Sequence, residues 1–75
     1  MEGNHNKIRS ALALERLPAV MARTGRSRTS IWRGVREGTF PRPVKIGLRS
    51  VAWPAHSIDT WIEAQIAAAD FKEAA

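Results

Sequence analysis

Pro18, Gly25, Ser27, Gly38 and Pro41 divide the middle of this 75-residue chain into two short helices and a tight turn. Pro18 suits the first turn of a helix, where its missing N–H leaves no bond unmade. In "RLPAVMARTG" the apolar Leu17, Val20 and Met21 share one face. Gly25 ends that helix, because glycine takes the left-handed conformation at little cost. Ser27 is a good N-cap for a second helix. Gly38 stops it and Pro41 forbids its continuation. The spacing therefore predicts a helix of about three turns over "RTSIWRGVRE", joined to the first at Gly25 and Arg26. That order of signals is the grammar of a helix-turn-helix.

The flanking segments complete a domain. "ALALE", residues 11–15, alternates its leucines as a strand would, although Ala and Leu also favour a helix; a short strand is the reading adopted. Pro41 and Pro43 hold the following segment extended. "VKI" and "VAW" around "GLRS" then form a β-hairpin that Pro54 ends. "AHSIDTWIEAQIAAAD" places Ile58, Trp61, Ile62, Ile66 and Ala69 on one helical face. The predicted fold is mostly α with a small β-hairpin: a winged helix-turn-helix of helix-turn-helix, wing and C-terminal helix. Its limits are 11–70, with a flexible segment at 1–10 and a fraying end at 71–75.

A chain of this length holds one domain, near the lower limit for a core without covalent staples. It has no cysteine, which rules out disulfides and thiolate metal sites. No apolar run reaches membrane-spanning length, and the polar start "MEGNHNKIRS" lacks the apolar stretch of a signal peptide. A cytoplasmic, nucleoid-associated bacterial protein with no membrane partner is expected. No nucleophile–base pair, phosphate-cradling glycine loop or zinc motif is present. Helically spaced His56, Asp59 and Glu63 read as a solvated helix face rather than a metal site. Neither an enzyme nor a cofactor is expected.

The net charge of +5 is unevenly spread. Residues 1–22 carry Lys7, Arg9 and Arg16 against Glu2 and Glu15, for +1. Residues 23–49 carry eight bases against Glu37, for +7, and residues 50–75 carry Lys72 against four acids, for −3. A basic surface beside an acidic end suits a polyanion. The helical repeat tells which way the arginines point. With Ile31 at the origin, Val35 falls near 40°, marking the buried face, while Arg36, Thr29 and Arg33 fall at roughly 140°, 160° and 200°, directly away from it. Arg28, Ser30 and Trp32 edge that exposed face.

This is the side-chain set that a DNA major groove asks for. Arginine pairs bidentately with guanine, and threonine or serine meets phosphates, base edges or a thymine methyl. Ser27 and the free N–H groups of the helix start suit a phosphate. Arg28, Thr29 and Arg33 are the expected base contacts, since the start of a recognition helix reaches deepest. Arg36 is placed on phosphate, and Trp32 either packs on the wing or lies beside the DNA backbone. Arg42, Lys45 and Arg49 on the wing are expected to lie along the backbone or in a minor groove. Trp53 and Trp61 are assigned to the core.

The pieces "RLP" (16–18), "RTGRSRTSIW" (23–32), "EGTFPRPVKIG" (37–47) and "VAW" followed by "IDTWI" resemble, in order and spacing, the AlpA-type prophage regulatory proteins from about Arg16 to Ile66. The resemblance implies a MerR-like or excisionase-like winged helix-turn-helix and a small DNA-binding regulator of phages, prophages or integrative elements. Some similar proteins act as excisionases, bending DNA for an integrase. This sequence departs from the pattern at Arg26, where an apolar residue is common, at Ala19, where glutamate is common, and at Gly34, where a larger apolar residue is common. A glycine there costs about 1 kcal/mol relative to alanine, and a tryptophan is the candidate to fill the space it leaves. The expected function is sequence-specific regulation of transcription on double-stranded DNA, with RNA polymerase as a protein partner. One alternative is an excisionase with an integrase as partner; another is an antitoxin-like interaction module whose basic face docks an acidic protein. A single recognition helix per chain favours several copies on DNA.

Overall fold

The computed structural model describes residues 12–74, with side chains through residue 70. The expected flexible segment 1–10 lies outside the described residues. The elements follow the order β1 (Leu14–Glu15), α1 (Leu17–Thr24), α2 (Arg28–Glu37), β2 (Val44–Lys45), β3 (Val51–Pro54) and α3 (Ala55–Ala74). Three helices and a small sheet make a mostly helical, winged-helix-like domain, as the sequence indicates. No helix among the described residues is long and apolar enough to cross a membrane.

Local chemistry sets the helix boundaries. Pro18 lies in the first turn of α1. Gly25 ends that helix at φ 72°, its N–H donating to the Met21 carbonyl at 2.8 Å. The Thr24 hydroxyl donates to the Val20 carbonyl at 2.8 Å and accepts from the Arg26 N–H at 3.2 Å, which ties the turn to the helix it leaves. Ser27 caps α2 by accepting the Ser30 N–H at 3.1 Å. At the other end Gly38 takes φ 83°. Its N–H reaches the Val35 carbonyl at 3.4 Å, and the Thr39 N–H reaches the Gly34 carbonyl at 2.8 Å. These two bonds are a Schellman ending, which satisfies carbonyls that the helix itself cannot.

The sheet is antiparallel with β3 in the middle, in the order β1-β3-β2. Glu15 faces Trp53 across one ladder, and Val44 faces Ala52 across the other. The short strand read in 11–15 is therefore present as Leu14–Glu15, and it turns the hairpin into a three-stranded sheet. Pro54 does not stop the hairpin short of this pairing: it is the last residue of β3, opposite Leu14. The next N–H, of Ala55, donates to the Ala13 carbonyl at 2.8 Å and fixes the start of α3.

The core gathers Val20, Ile31, Phe40, Trp53 and Ile58, one or more from each helix, the loop after α2 and β3. Leu17, Met21, Trp32, Val35, Val51, Trp61 and Ile62 pack around them. Each fully buried large side chain contributes about 1.5–3 kcal/mol, so few contacts can be spared in so small a domain. Two expectations need correction. The apolar stripe of α3 was expected to run on to Ile66 and Ala69, yet Ile66 is 57% exposed and Ala69 is exposed. A 20-residue helix is about 30 Å long, and the layer beneath it ends near Ile62. Nor does a tryptophan fill the space at Gly34. A Cβ there would stand 2.8 Å from the Cβ of Phe40 and 3.2 Å from the Thr39 hydroxyl. The chain after α2 folds directly against the helix backbone, and the Phe40 N–H donates to the Gly34 carbonyl at 3.1 Å.

Candidate nucleic-acid interface

The recognition-helix candidate is held from below and from both ends. Ile31 and Gly34 of α2 are buried. Two indole N–H groups anchor the loop that follows: Trp53 Nε1 donates to the Pro41 carbonyl at 2.8 Å, and Trp61 Nε1 donates to the Thr39 carbonyl at 3.0 Å. The Phe40 ring lies between these two tryptophans, 6.4 Å from one and 5.0 Å from the other. This aromatic cluster couples the end of α2 to the sheet and to α3, so the hairpin and the helix keep a fixed relation.

Trp32 supplies a second link. It is half-buried, with its ring 5.4 Å from that of Trp53. Of the two roles considered for it, packing against the hairpin is the one observed. The base of the β2–β3 hairpin therefore abuts the Trp32 flank of α2, next to the outward face. Ser30, also on an edge, is half-buried. Its hydroxyl accepts from that of Ser27 at 3.1 Å, so the two serines complete a cap together.

The eight bases of residues 23–49 separate into two groups. Arg23 binds Glu15 at 2.5 Å and also Asp59, joining α1 to β1 and α3. Its pKa is raised, chiefly by the hydrogen bond to Asp59 and less by that to Glu15. Arg26 stacks on Trp61, its guanidinium carbon 5.1 Å from the ring centroid. A planar guanidinium over an indole face is favourable, so the polar departure at position 26 has an internal partner. The other six cations are Arg28, Arg33 and Arg36 on α2, Arg42 in the loop, Lys45 on β2 and Arg49 in the hairpin turn. All six are exposed. None of them forms an ion pair among the described residues.

Thr29 is exposed beside Arg28 and Arg33. The buried positions Ile31 and Gly34 lie on the opposite side of the same helix. The outward face of α2 thus presents Arg28, Thr29, Arg33 and Arg36, three cations without an ion pair among the described residues and one hydroxyl, with exposed Glu37 at the helix end. The first N–H groups of the helix, which no helical carbonyl can take, open toward the same end. Chemically this surface can hold phosphates and donate paired hydrogen bonds to a flat acceptor edge. By contrast, the shallow groove between residues 38–41 and α3 is lined by Phe40, Pro41, Trp61, Ala64 and small polar residues, and has no titratable group. No group of three or more potential metal ligands occurs among the described residues.

The comparison with known families bears on this surface. The family of the prophage CP4-57 regulatory protein (AlpA) matches residues 14–66, which run from β1 into α3. The chain belongs to this family. It is 37% identical over 60 residues to the DNA-binding transcriptional activator AlpA of Escherichia coli (strain K12), covering 72% of this chain and 86% of that protein. It is also 38% identical over 52 residues to the uncharacterized protein ORF88 of Enterobacteria phage P4, covering 69% of this chain and 59% of that protein. No solved structure gives a significant match. Membership in this regulatory family agrees with the expectation that the chain is not an enzyme.

Sequence reasoning missed that Arg23 and Arg26, although exposed, are engaged by partners within the domain. A charge count gives no sign of the difference, because their partners Glu15, Asp59 and Trp61 come from distant parts of the chain. It also passed over Leu48, which is exposed at the hairpin turn.

Proposed function

We propose that this protein is a sequence-specific, double-stranded DNA-binding regulator of transcription of the prophage or mobile-element type. In this reading α2 enters the major groove. Arg28, Thr29 and Arg33 meet base edges, Arg36 meets phosphate, and Ser27 with the helix start receives another phosphate. Arg42, Lys45 and Arg49 follow the backbone or the adjoining minor groove. The observation that carries the reading is the sorting of the cations. All eight are exposed, but Arg23 and Arg26 are engaged by Glu15, Asp59 and Trp61, which leaves six without an ion pair among the described residues on one helix face, its following loop and the adjacent hairpin. The name of the Escherichia coli relative supports the same function.

One helix and one hairpin cover about half a turn to one turn of duplex, so tight binding calls for several copies on DNA. Footprinting across the genomic neighbourhood of the gene, with a promoter reporter, tests the proposal. The expected result is a compact protected site beside a promoter and a change in reporter output. Protection of repeated sites at an attachment site, with no reporter response, would instead indicate an excisionase. Binding that an equally charged heparin-like competitor abolishes would indicate a basic face made for an acidic protein.

A further inference from the structure

The β2–β3 turn ends in an apolar side chain. Leu48 is 87% exposed, more than any other large hydrophobic residue among those described. It sits between Gly47 and Arg49 in a turn closed by the Ile46 N–H, which donates to the Ser50 carbonyl at 2.9 Å. A lone exposed leucine is ordinary on a protein surface; one at the apex of a braced hairpin calls for an explanation. The bracing is substantial. Ala52 and Trp53 are fully buried, Val51 packs on the core, and the Trp53 indole is bonded to the loop after α2. The tip is an apolar projection on a rigid stem.

Its surroundings select the ligand. Arg49 follows it in the chain, Lys45 lies on β2 and Arg42 precedes that strand, the hairpin also exposes Val44 and Ile46, and no Asp or Glu occurs between Glu37 and Asp59. An exposed apolar tip on a hairpin that carries cations and no acids fits a partner with an anionic rim and an apolar interior. The minor groove of duplex DNA offers both, with phosphates along its rims and, where a base step is opened, apolar base faces within. We infer that Leu48 is a minor-groove wedge: Arg49 and Lys45 hold the flanking phosphates while the leucine side chain enters between two base pairs and kinks the duplex. The inference rests on the DNA-binding reading and adds to it what the wing tip does. Insertion of an apolar side chain uses no hydrogen bond, so its preference is for steps that unstack easily, such as TA or CA/TG. The hairpin then contributes specificity through deformability at positions that no side chain reads.

The test uses the full chain and duplexes containing its footprinted site, with 2-aminopurine replacing single adenines at successive TA or CA/TG steps. Circular-permutation gel shifts are run in parallel. Wild type is expected to raise 2-aminopurine fluorescence at one step under the wing and to bend the duplex. Leu48→Ala, at an exposed position, is expected to keep its melting temperature while losing the fluorescence rise and most of the bend. Leu48→Met is expected to restore both. The wedge is overturned if Leu48→Ala bends and unstacks the duplex as wild type does, or if wild type binds without unstacking any step. It is also overturned if Leu48→Ala changes the oligomeric state in the absence of DNA, since the tip would then be a contact between copies. Failure of wild type to bind duplex DNA at all would remove the functional proposal together with the wedge; unstacking and bending that do not depend on Leu48 remove the wedge alone.

Discussion

At the scale of single residues, Gly34 shows the difference between a propensity and a packing requirement. Its cost in a helix is about 1 kcal/mol relative to alanine, so Gly34→Ala would be stabilising on propensity alone. Its Cβ, however, would meet the Cβ of Phe40 at 2.8 Å, and that atom has no torsional freedom with which to retreat. Overpacking of this kind costs about 1–3 kcal/mol. Gly34→Ala should therefore lower stability in urea denaturation, and a higher midpoint at an unchanged slope would contradict the packing described. The sequence marks a small residue on the core side and makes a tryptophan the candidate to cover it, because nothing local marks Phe40 as folding back. Arg23 makes the same point for charge. It was counted in the basic window, yet it binds Glu15 and Asp59, eight and 36 residues away. Such half-exposed pairs contribute about 1 kcal/mol or less each. Arg23→Ala should lower the melting temperature modestly and leave affinity for random duplex unchanged. A loss of DNA affinity as large as that from removing an α2 arginine would place Arg23 on the interface instead.

At the scale of elements, the boundaries of α1 and α2 were legible because their causes are local. Pro18, Gly25, Ser27 and Gly38 act on their own backbone or on N–H groups within a few residues, and each sits where the sequence indicates. The length of the α3 stripe was not legible. Periodicity reports which face of a helix is apolar, not how far its neighbours extend, and Ile66 continues the pattern past the end of the core. Ile66→Gln should consequently change stability by about 0.5 kcal/mol or less. A loss of several times that would show that the far half of α3 is covered. Trp61 lies on the near half, half-buried, with Phe40 against its ring and Arg26 above it. Trp61→Ala should cost about 3 kcal/mol, at the lower end of the range for large aromatic truncations. Trp61→Phe, which removes the N–H donated to Thr39, should cost about 1 kcal/mol. Equal losses in the two variants, read by thermal denaturation, would mean that the hydrogen bond rather than the packing dominates.

At the scale of the whole molecule, the anchored loop 39–41 and the Trp32–Trp53 contact make helix and wing a single rigid surface. The exposed cations on that surface divide by reach. In the proposed DNA-binding reading, Arg28 and Arg33 of α2 reach bases, whereas Arg36 and the wing cations meet phosphate or groove walls. The direction of the α2 arginines could be worked out from the helical repeat. Which of the other cations are engaged elsewhere required the tertiary structure. Arg49→Ala should weaken specific and random binding together, and should flatten the dependence of log affinity on log salt by about one unit; an unchanged slope would remove the wing tip from the DNA. The central claim, that the outward face of α2 reads sequence, is tested most directly by Arg33→Ala titrated against the footprinted site and a random duplex at the same salt. The expected result is a loss of about 1–3 kcal/mol on the specific site with relaxed preference at one or two base pairs, and a clearly smaller loss on the random duplex. Equal losses on both would show Arg33 to be a phosphate contact and would contradict the claim.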